Sequence, residues 1–299
     1  MHVSDFFEIN RGHSNLDFVD IAVASDKELF IDPCLIEVGR EAFCMNAKKV
    51  MSDYFDVFYN MYRTRQPNSQ KLALFEHAHE INATRLGYGN GRNGKAKTAQ
   101  GMLKTFSGVQ RLVDANVGLS HATDLPIFIK DFAEDCMSDM LTNILLKELM
   151  RFTIEQCRKY DIETSDVRKP FYYWNHEKHA WEQYHGRGLF IGGQEVLLVP
   201  KRIVRRGYYY NTEQYFRSVI LERIRDERTT YDKNGRANRP TKKALREEML
   251  SKNGDVLSAS IEQSIENPHL LDRHHSLMKS SYADRAMSDE ELDAFVYIP

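Results

Sequence analysis

The sequence predicts an α+β protein in which an antiparallel sheet packs against several long helices and the C-terminal region is helical. Apolar residues recur at helical spacing over residues 40–65 and 134–160, which predicts long amphipathic helices there. Over residues 169–204 the pattern changes to short aromatic and apolar runs separated by polar turns, which is typical of antiparallel strands. After residue 241 the pattern is helical again but more polar.

Shorter elements fill the remainder of this α+β plan. A strand over residues 18–23 and its return over residues 29–32 predict a β-hairpin that ends at Pro33. Pro67 ends the first long helix, and Ser69 is the expected N-cap of the next one. Further helices are predicted over residues 70–81, 98–116 and 210–228, and a short strand over residues 125–129. The turn-rich stretch near residue 235 divides the chain into a mixed core, residues 1–230, and a linker with a helical C-terminal extension, residues 231–299.

The composition is that of an ordinary globular protein. Of 299 residues, 42% are hydrophobic and 28% are charged, which excludes disordered and collagen-like chains. No apolar run approaches the roughly 18 residues that a membrane span requires, and the N-terminus lacks the pattern of a signal peptide. The four cysteines include no CxxC pair, so no disulfide framework or zinc knuckle is indicated. We therefore expect a cytoplasmic protein that does not enter a membrane.

Positive charge is concentrated in one segment. Residues 187–246 contain fifteen lysines and arginines against six acids, although the whole chain has a net charge of −2. Most of these cations are arginines, whose planar guanidinium groups suit phosphate, and aromatic residues such as Tyr208 and Tyr209 lie among them. This clustering indicates a polyanionic partner, DNA or RNA, or an acidic protein partner. The alternative is a solvated surface on which the charges pair with one another.

A glycine-rich loop runs over residues 87–98. Each of two frames misses the phosphate-binding pattern GxxxxGK[ST] by one residue, because Ala96 replaces the hydroxyl residue in one frame and the second glycine in the other. The basic residues Arg92, Lys95 and Lys97 are expected to contact the phosphate backbone of a nucleic acid. A nucleotide-binding enzyme and a plain surface loop remain as alternatives.

Acidic residues at helical spacing suggest a magnesium site. Asp135 and Asp139 are four residues apart and therefore share a helix face. Two neighbouring carboxylates repel each other unless a cation compensates them, and Mg²⁺ prefers oxygen ligands of this kind. Asp32, at the end of the N-terminal hairpin, is the expected third ligand. The alternative is that these acids favour the positive end of the helix dipole.

The leading hypothesis is a nucleic-acid-acting protein, a divergent Mg²⁺-dependent nuclease. The chain contains no D/E-x-K triplet, so we assign the catalytic cation to Lys201, which follows the predicted strands. Arg202, Arg205 and Arg206 are expected to track the nucleic-acid backbone. One alternative is a non-catalytic interaction module that uses residues 187–246. The other is a nucleotide-binding enzyme that uses the loop over residues 87–98.

Histidine, serine and cysteine patterns offer no stronger assignment. His77 and His79 are two residues apart on a predicted helix, so their imidazoles point in different directions, unlike those of HExxH zinc sites. His176 and His179 lie in a predicted turn. The sequence contains no GxSxG elbow and no cysteine beside a histidine, which disfavours nucleophilic hydrolases.

Overall fold

The computed structural model describes residues 1–78, 83–88, 98–130, 132, 134–282 and 285–297 and confirms the α+β class. Helices form most of this structure. In chain order they are α1 (Val3–Phe6), α2 (Pro33–Val38), α3 (Ala42–Arg63), α4 (Asn68–Phe75), α5 (Ala99–Thr105), α6 (Val109–Asp114), α7 (Leu125–Phe128), α8 (Glu134–Ile144), α9 (Leu146–Lys159), α10 (Thr212–Tyr215), α11 (Leu221–Glu227), α12 (Lys242–Asn253), α13 (Val256–Glu266), α14 (Leu270–Tyr282) and α15 (Asp289–Val296). None of the described helices combines the length and apolarity needed to cross a membrane.

The central helix is α3, which confirms the first long helix predicted from the sequence. Its apolar residues recur every three or four positions, so one face is buried along its whole length. Phe58 lies in the middle of that face, and its ring contacts those of Phe75 from α4 and Phe106 from the turn after α5. These aromatic contacts join the helices of residues 42–114 into one core.

The pattern over residues 134–160 forms two helices, α8 and α9, where the sequence predicts one. The interruption is at Leu145, whose backbone (φ −94°, ψ 10°) leaves the helical region. Asn68 begins α4, so Ser69 lies inside that helix and is not its N-cap, contrary to the prediction. A five-residue π-helical segment, residues 216–220, joins α10 to α11 and completes the predicted helix over residues 210–228.

The strands are short and antiparallel, and they form four small sheets. β3 pairs with β4, β5 lies between β2 and β6, β1 pairs with β7, and β8 pairs with β9. Their bounds are β1 (Phe30–Ile31), β2 (Ser165–Asp166), β3 (Tyr172–Asn175), β4 (Ala180–Gln183), β5 (Arg187–Ile191), β6 (Gln194–Val196), β7 (Val204–Arg205), β8 (Thr230–Tyr231) and β9 (Ala237–Asn238). The strand-rich interval predicted over residues 169–204 is therefore confirmed.

Two predicted β elements are wrong. Residues 18–23 and 29–32 do not pair with each other, because both find partners near residues 199–205: Val19 donates to the carbonyl of Val199, and β1 pairs with β7. The run over residues 125–129 is not a strand but the buried helix α7, with Pro126 in its first turn. A short apolar run has no period that separates a strand from a buried helix.

The C-terminal helices contact the N-terminal part of the chain. Asp293 on α15 accepts hydrogen bonds from the backbone and the ring of His13, and the hydroxyl of Tyr297 donates to Asp20. A capping box starts α15: Ser288 Oγ accepts from the amide of Glu291, and the Glu291 carboxylate accepts from the amide of Ser288.

We expect Ser288→Ala to lower the free energy of unfolding by about 1 kcal/mol, because it removes the side-chain acceptor at the N-terminus of α15. Urea denaturation followed by circular dichroism measures the effect. Ser251→Ala, an exposed serine in the last turn of α12, is the matched control and is expected to change little. Equal effects of the two substitutions would contradict the capping role.

Candidate metal centre

Three potential metal ligands converge where α14 passes the turn that precedes α7. A ring nitrogen of His121, a carboxylate oxygen of Asp124 and a ring nitrogen of His275 all lie within 4.8 Å of one another. Among the described residues, this is the one group of at least three histidine, cysteine or acidic side chains with that spacing. His121 and Asp124 flank a short 3₁₀ turn, and His275 comes from α14.

Asp124 is the centre of this group and is completely buried. One carboxylate oxygen, Oδ2, accepts the backbone N–H groups of Ser120 and His121, both at 2.8 Å. The other, Oδ1, lies 2.6 Å from Nε2 of His275. Burial alone would raise the pKa of Asp124, but these hydrogen bonds and the charge of His275 outweigh it and hold the pKa below its usual value. The site therefore keeps a buried negative charge.

The two imidazoles lie close together in different environments. Their ring centroids are 4.0 Å apart. Burial would lower the pKa of His275, but its hydrogen bond to Asp124 outweighs that effect and raises the pKa. Burial lowers the pKa of His121, whose Nδ1 lies 2.8 Å from the hydroxyl of Ser120. The contact of His121 Nδ1 with Ser120 orients that imidazole and leaves its other nitrogen available to a metal. The Nε2 atom of His275 contacts Asp124 itself, so a metal bound between them would take the place of the proton that they share.

Two imidazoles and one carboxylate are a known set of ligands for transition metals. Imidazole suits Zn²⁺, Fe²⁺ and related ions, whereas Mg²⁺ prefers a shell made of oxygen atoms. Three protein ligands also leave a coordination position for water or substrate, as in catalytic zinc sites. The ligand types of His121, Asp124 and His275 therefore suit a divalent transition metal.

A cleft of about 570 Å³ lies close to this group, but none of the three side chains lines it. Glu37, at the end of α2, lines the cleft and is close enough to Asp124 and His275 for their charges to change its pKa. Burial, together with the charge of Asp124, raises the pKa of Glu37 to about 7. Four cations line the same cleft, and none of them forms an ion pair with another described residue: Arg40, Lys48, Arg202 and Lys279.

Asp32, predicted from the sequence as a metal ligand, has a structural role. Its carboxylate is completely buried and caps α2 by accepting the backbone N–H of Cys34 at 2.8 Å. The hydroxyl of Tyr210 donates to the same oxygen, and the other oxygen, Oδ2, has no hydrogen-bond partner among the described residues. Burial raises the pKa of Asp32 to about 6, against the hydrogen bonds from Tyr210 and Cys34, which lower it.

The three predicted magnesium ligands do not come together. Asp135 and Asp139 both lie on α8, as the spacing predicts. However, they do not join Asp32 in a group of ligand atoms within 4.8 Å of one another. The charges of Asp32 and Asp139 both act on the buried Tyr208, which lies between β1 and α8 and donates to the carbonyl of Ile31.

The basic residues that were predicted to contact nucleic acid lie in different parts of the structure. Lys201 forms an ion pair with Asp289 at 2.7 Å and donates to the carbonyl of His13, so its ammonium group joins α15 to the N-terminal part of the chain. Arg205 stacks on Tyr209 and Arg206 on Phe295, each about 4 Å from the ring centroid. Arg202 lines the cleft. The other three predicted contacts, Arg92, Lys95 and Lys97, lie outside the described residues.

Much of the basic segment over residues 187–246 is neutralised by neighbouring acids. Five arginines and one lysine of its C-terminal half form ion pairs on the protein surface. The pairs are Arg223 with Glu227, Arg225 and Lys242 with Glu222, Arg228 with Glu248, Arg239 with Asp226, and Arg246 with Glu213. Most of the arginines of this half are therefore paired within the protein, whereas Arg217 and Arg236 form no ion pair with another described residue.

Sequence reasoning missed the group formed by His121, Asp124 and His275. A local signal exists, because His121 and Asp124 have the HxxD spacing and His275 is one of two adjacent histidines. Neither signal by itself indicates a metal site, since isolated histidines and acids are common on protein surfaces. Asp124 and His275 are 151 positions apart in the sequence, so the sequence alone does not show that they are close together in the structure.

The fold and this site describe an α+β protein with a candidate metal centre beside a basic cleft. The chain belongs to the family described as a domain of unknown function, DUF8370, whose model matches residues 8–211. His121, Asp124 and the cleft residue Glu37 lie within the matched region, whereas His275 lies beyond it. No curated protein and no solved structure matches the chain.

Proposed function

We propose that this protein is a divalent-metal-dependent hydrolase that cleaves phosphodiester bonds in nucleic acid. The observation that carries the proposal is the group of His121, Asp124 and His275 close to a cleft with an excess of positive charge. Four cations and two acids, Glu37 and Glu41, line that cleft. A metal at such a group supplies a Lewis acid and a hydroxide ion near neutral pH. The cations of the cleft attract the negatively charged phosphates of a substrate.

Each part of the site has a place in such a reaction. Hydrolysis adds water across a P–O bond: hydroxide attacks phosphorus, the bond to the sugar oxygen breaks, and that oxygen takes up a proton. Arg202 and Lys48 lie where they can stabilise the phosphate charge. Glu37 is a carboxyl group with a pKa near 7, which suits an acceptor for the proton of the attacking water.

The proposal changes the metal and the ligands that the sequence predicts. We assign a transition metal, zinc, manganese or iron, in place of Mg²⁺, because two of the three ligands are imidazoles. We also assign no catalytic role to Lys201, because its ammonium group pairs with Asp289. Of the predicted nucleic-acid contacts, Arg202 keeps its role because it lines the cleft.

The two alternative functions receive less support. An interaction module that uses residues 187–246 would need free cations, and many of those cations pair with local acids. A nucleotide-binding enzyme would use the loop over residues 87–98, of which residues 89–97 lie outside the described part of the chain. The cleft beside His275 is the site that the described residues favour.

The test is cleavage of plasmid, single-stranded DNA and RNA by purified protein with Mn²⁺, Zn²⁺, Mg²⁺ or chelator. We expect cleavage that requires a transition metal and is abolished in His275→Gln. His269→Gln is the matched control, because His269 lies just before α14 with its side chain almost fully exposed. Cleavage by His275→Gln at the wild-type rate would overturn the assignment of the site, and absence of metal-dependent cleavage by the wild type would overturn the proposed activity.

A second expectation concerns affinity for the substrate. Arg202→Gln should weaken binding of a fluorescent oligonucleotide and lower the slope of log K against log salt by about 1, because one phosphate contact is lost. Fluorescence anisotropy at several salt concentrations, with chelator to prevent cleavage, measures both quantities. Arg236→Gln makes the same charge change on the exposed β8–β9 hairpin and should leave the slope unchanged. An unchanged slope in Arg202→Gln would contradict the role of the cleft.

A further inference from the structure

A second pocket lies on another side of α14. It has a volume of about 320 Å³ and is formed by α14, by residues 209–214 and by the π-helical residues 217–219. His274 lines this pocket, whereas the adjacent His275 belongs to the metal centre. Successive residues of a helix point about 100° apart, so one helix serves both sites. The proposed hydrolase activity does not use this pocket.

The wall of the pocket is aromatic. Tyr209, Tyr210 and Tyr282 all line it, and the rings of Tyr210 and Tyr282 have their centroids 4.9 Å apart. Two large apolar side chains at the pocket are exposed to solvent, Tyr209 by 45% and Leu277 by 40%. Exposed apolar side chains that border a common concavity mark a ligand site more often than scattered ones do.

The described residues give the pocket a positive charge. Arg217 and Arg285 line it, and no described carboxylate does. Neither arginine forms an ion pair with another described residue, and each donates to a neutral oxygen, Arg217 to Gln214 and Arg285 to the carbonyl of Ser281. This contrasts with arginines such as Arg228, which binds both oxygens of Glu248. The guanidinium group of Arg285 also lies 5.0 Å from the ring centroid of Tyr209. The site therefore combines aromatic rings with guanidinium groups that have no acidic partner among the described residues.

We propose that this pocket binds a nucleotide, that is, a planar base that carries a phosphate group. Aromatic rings and guanidinium planes are the surfaces on which bases stack, and unpaired guanidinium groups bind phosphate. The volume is at the lower end of the range for ligand pockets and admits one nucleotide rather than a larger cofactor. The buried Nε2 of His274, which has no hydrogen-bond partner among the described residues, makes the floor polar. The nucleotide is either a free mononucleotide or the phosphorylated end of a strand.

Calorimetric titration of the full chain in chelator tests this proposal without any contribution from a metal. The probes are AMP, UMP, adenosine, inorganic phosphate and a short 5′-phosphorylated oligonucleotide. We expect at least one monophosphate to bind with a Kd below about 1 mM, and adenosine and phosphate to bind at least about tenfold more weakly, because each lacks half of the recognised chemistry. Tighter binding of the oligonucleotide than of the monophosphates would assign the pocket to a strand end, and the reverse would assign it to a free nucleotide.

Substitutions of residues that line the pocket test whether the nucleotide binds there. Arg217→Gln removes an exposed cation and should weaken nucleotide binding at least about tenfold while leaving the affinity for adenosine unchanged. Tyr209→Ala should weaken the binding of both compounds. Arg236→Gln, on the exposed hairpin, is the control for loss of one positive charge. The proposal is overturned if the wild type binds no nucleotide, or if Arg217→Gln and Tyr209→Ala bind nucleotide as the wild type does.

Discussion

Asp124→Asn is expected to remove most of the stabilisation of this protein by a divalent transition metal. The asparagine keeps a side-chain oxygen for the backbone N–H groups of Ser120 and His121, so the local turn is preserved. It removes the buried negative charge that a cation between His121 and His275 would need. We expect the affinity for Zn²⁺ or Mn²⁺ to fall at least about 100-fold, which corresponds to about 2.7 kcal/mol.

The measurement is the free energy of unfolding of each variant with metal and with chelator. At a metal concentration about 100 times the wild-type Kd, the wild type gains about 2.7 kcal/mol, whereas a variant that binds 100-fold more weakly gains about 0.4 kcal/mol. Asp272→Asn makes the same change at an exposed position in the first turn of α14 and serves as the control. Equal metal stabilisation of Asp124→Asn and the wild type would place the metal elsewhere.

Asp32→Asn is expected to change how stability depends on pH. Because the pKa of Asp32 is raised from 3.8 to about 6 on folding, the folded state binds a proton more tightly than the unfolded state. The stability contribution of this group is therefore full below about pH 3.8 and is lost as pH rises through 6. As the pH rises from 4 to 7, the free energy of unfolding of the variant minus that of the wild type should therefore increase by about 2 kcal/mol.

Urea denaturation at several pH values measures this difference. Asp255→Asn is the matched control, because Asp255 is also a helix N-cap but is exposed, and the hydrogen bond from the backbone N–H of Ser258 lowers its pKa. A lowered pKa has the opposite sign: its stabilisation is present above the unfolded pKa and is lost as pH falls. If the free energies of unfolding of Asp32→Asn and of the wild type depend on pH in the same way, folding does not raise the pKa of Asp32 and this expectation is wrong.

The buried pair of Asp32 and Tyr210 explains why a sequence pattern of acids is ambiguous. An aspartate at the end of a strand and before a proline can ligate a metal or cap a helix, and both roles need the same residue at the same place. In this protein Asp32 caps α2 and accepts from Cys34 and Tyr210, so its hydrogen bonds go to the protein. The partner that distinguishes the two roles, Tyr210, is 178 residues away in the chain.

The spacing of apolar residues was sufficient to predict the helices and strands that bury one face along their length. The long helix α3, the helical residues of α8 and α9, the strands β3 to β6 and the C-terminal helices all follow from apolar spacing, because a helix or strand that buries one face must repeat that spacing. The same local signals also predicted the α+β class. They carry no information about which segment lies beside which.

Which distant segments pair with each other was visible only in the folded structure. The partner of β1 is β7 and not the nearby residues 18–23, and His275 reaches Asp124 across 151 residues. The ion pairs that neutralise the arginines of the basic segment also join residues from different helices, as Arg228 and Glu248 do. These contacts depend on how helices and strands pack against one core, and that packing minimises the free energy of the whole chain, so no window of sequence contains it.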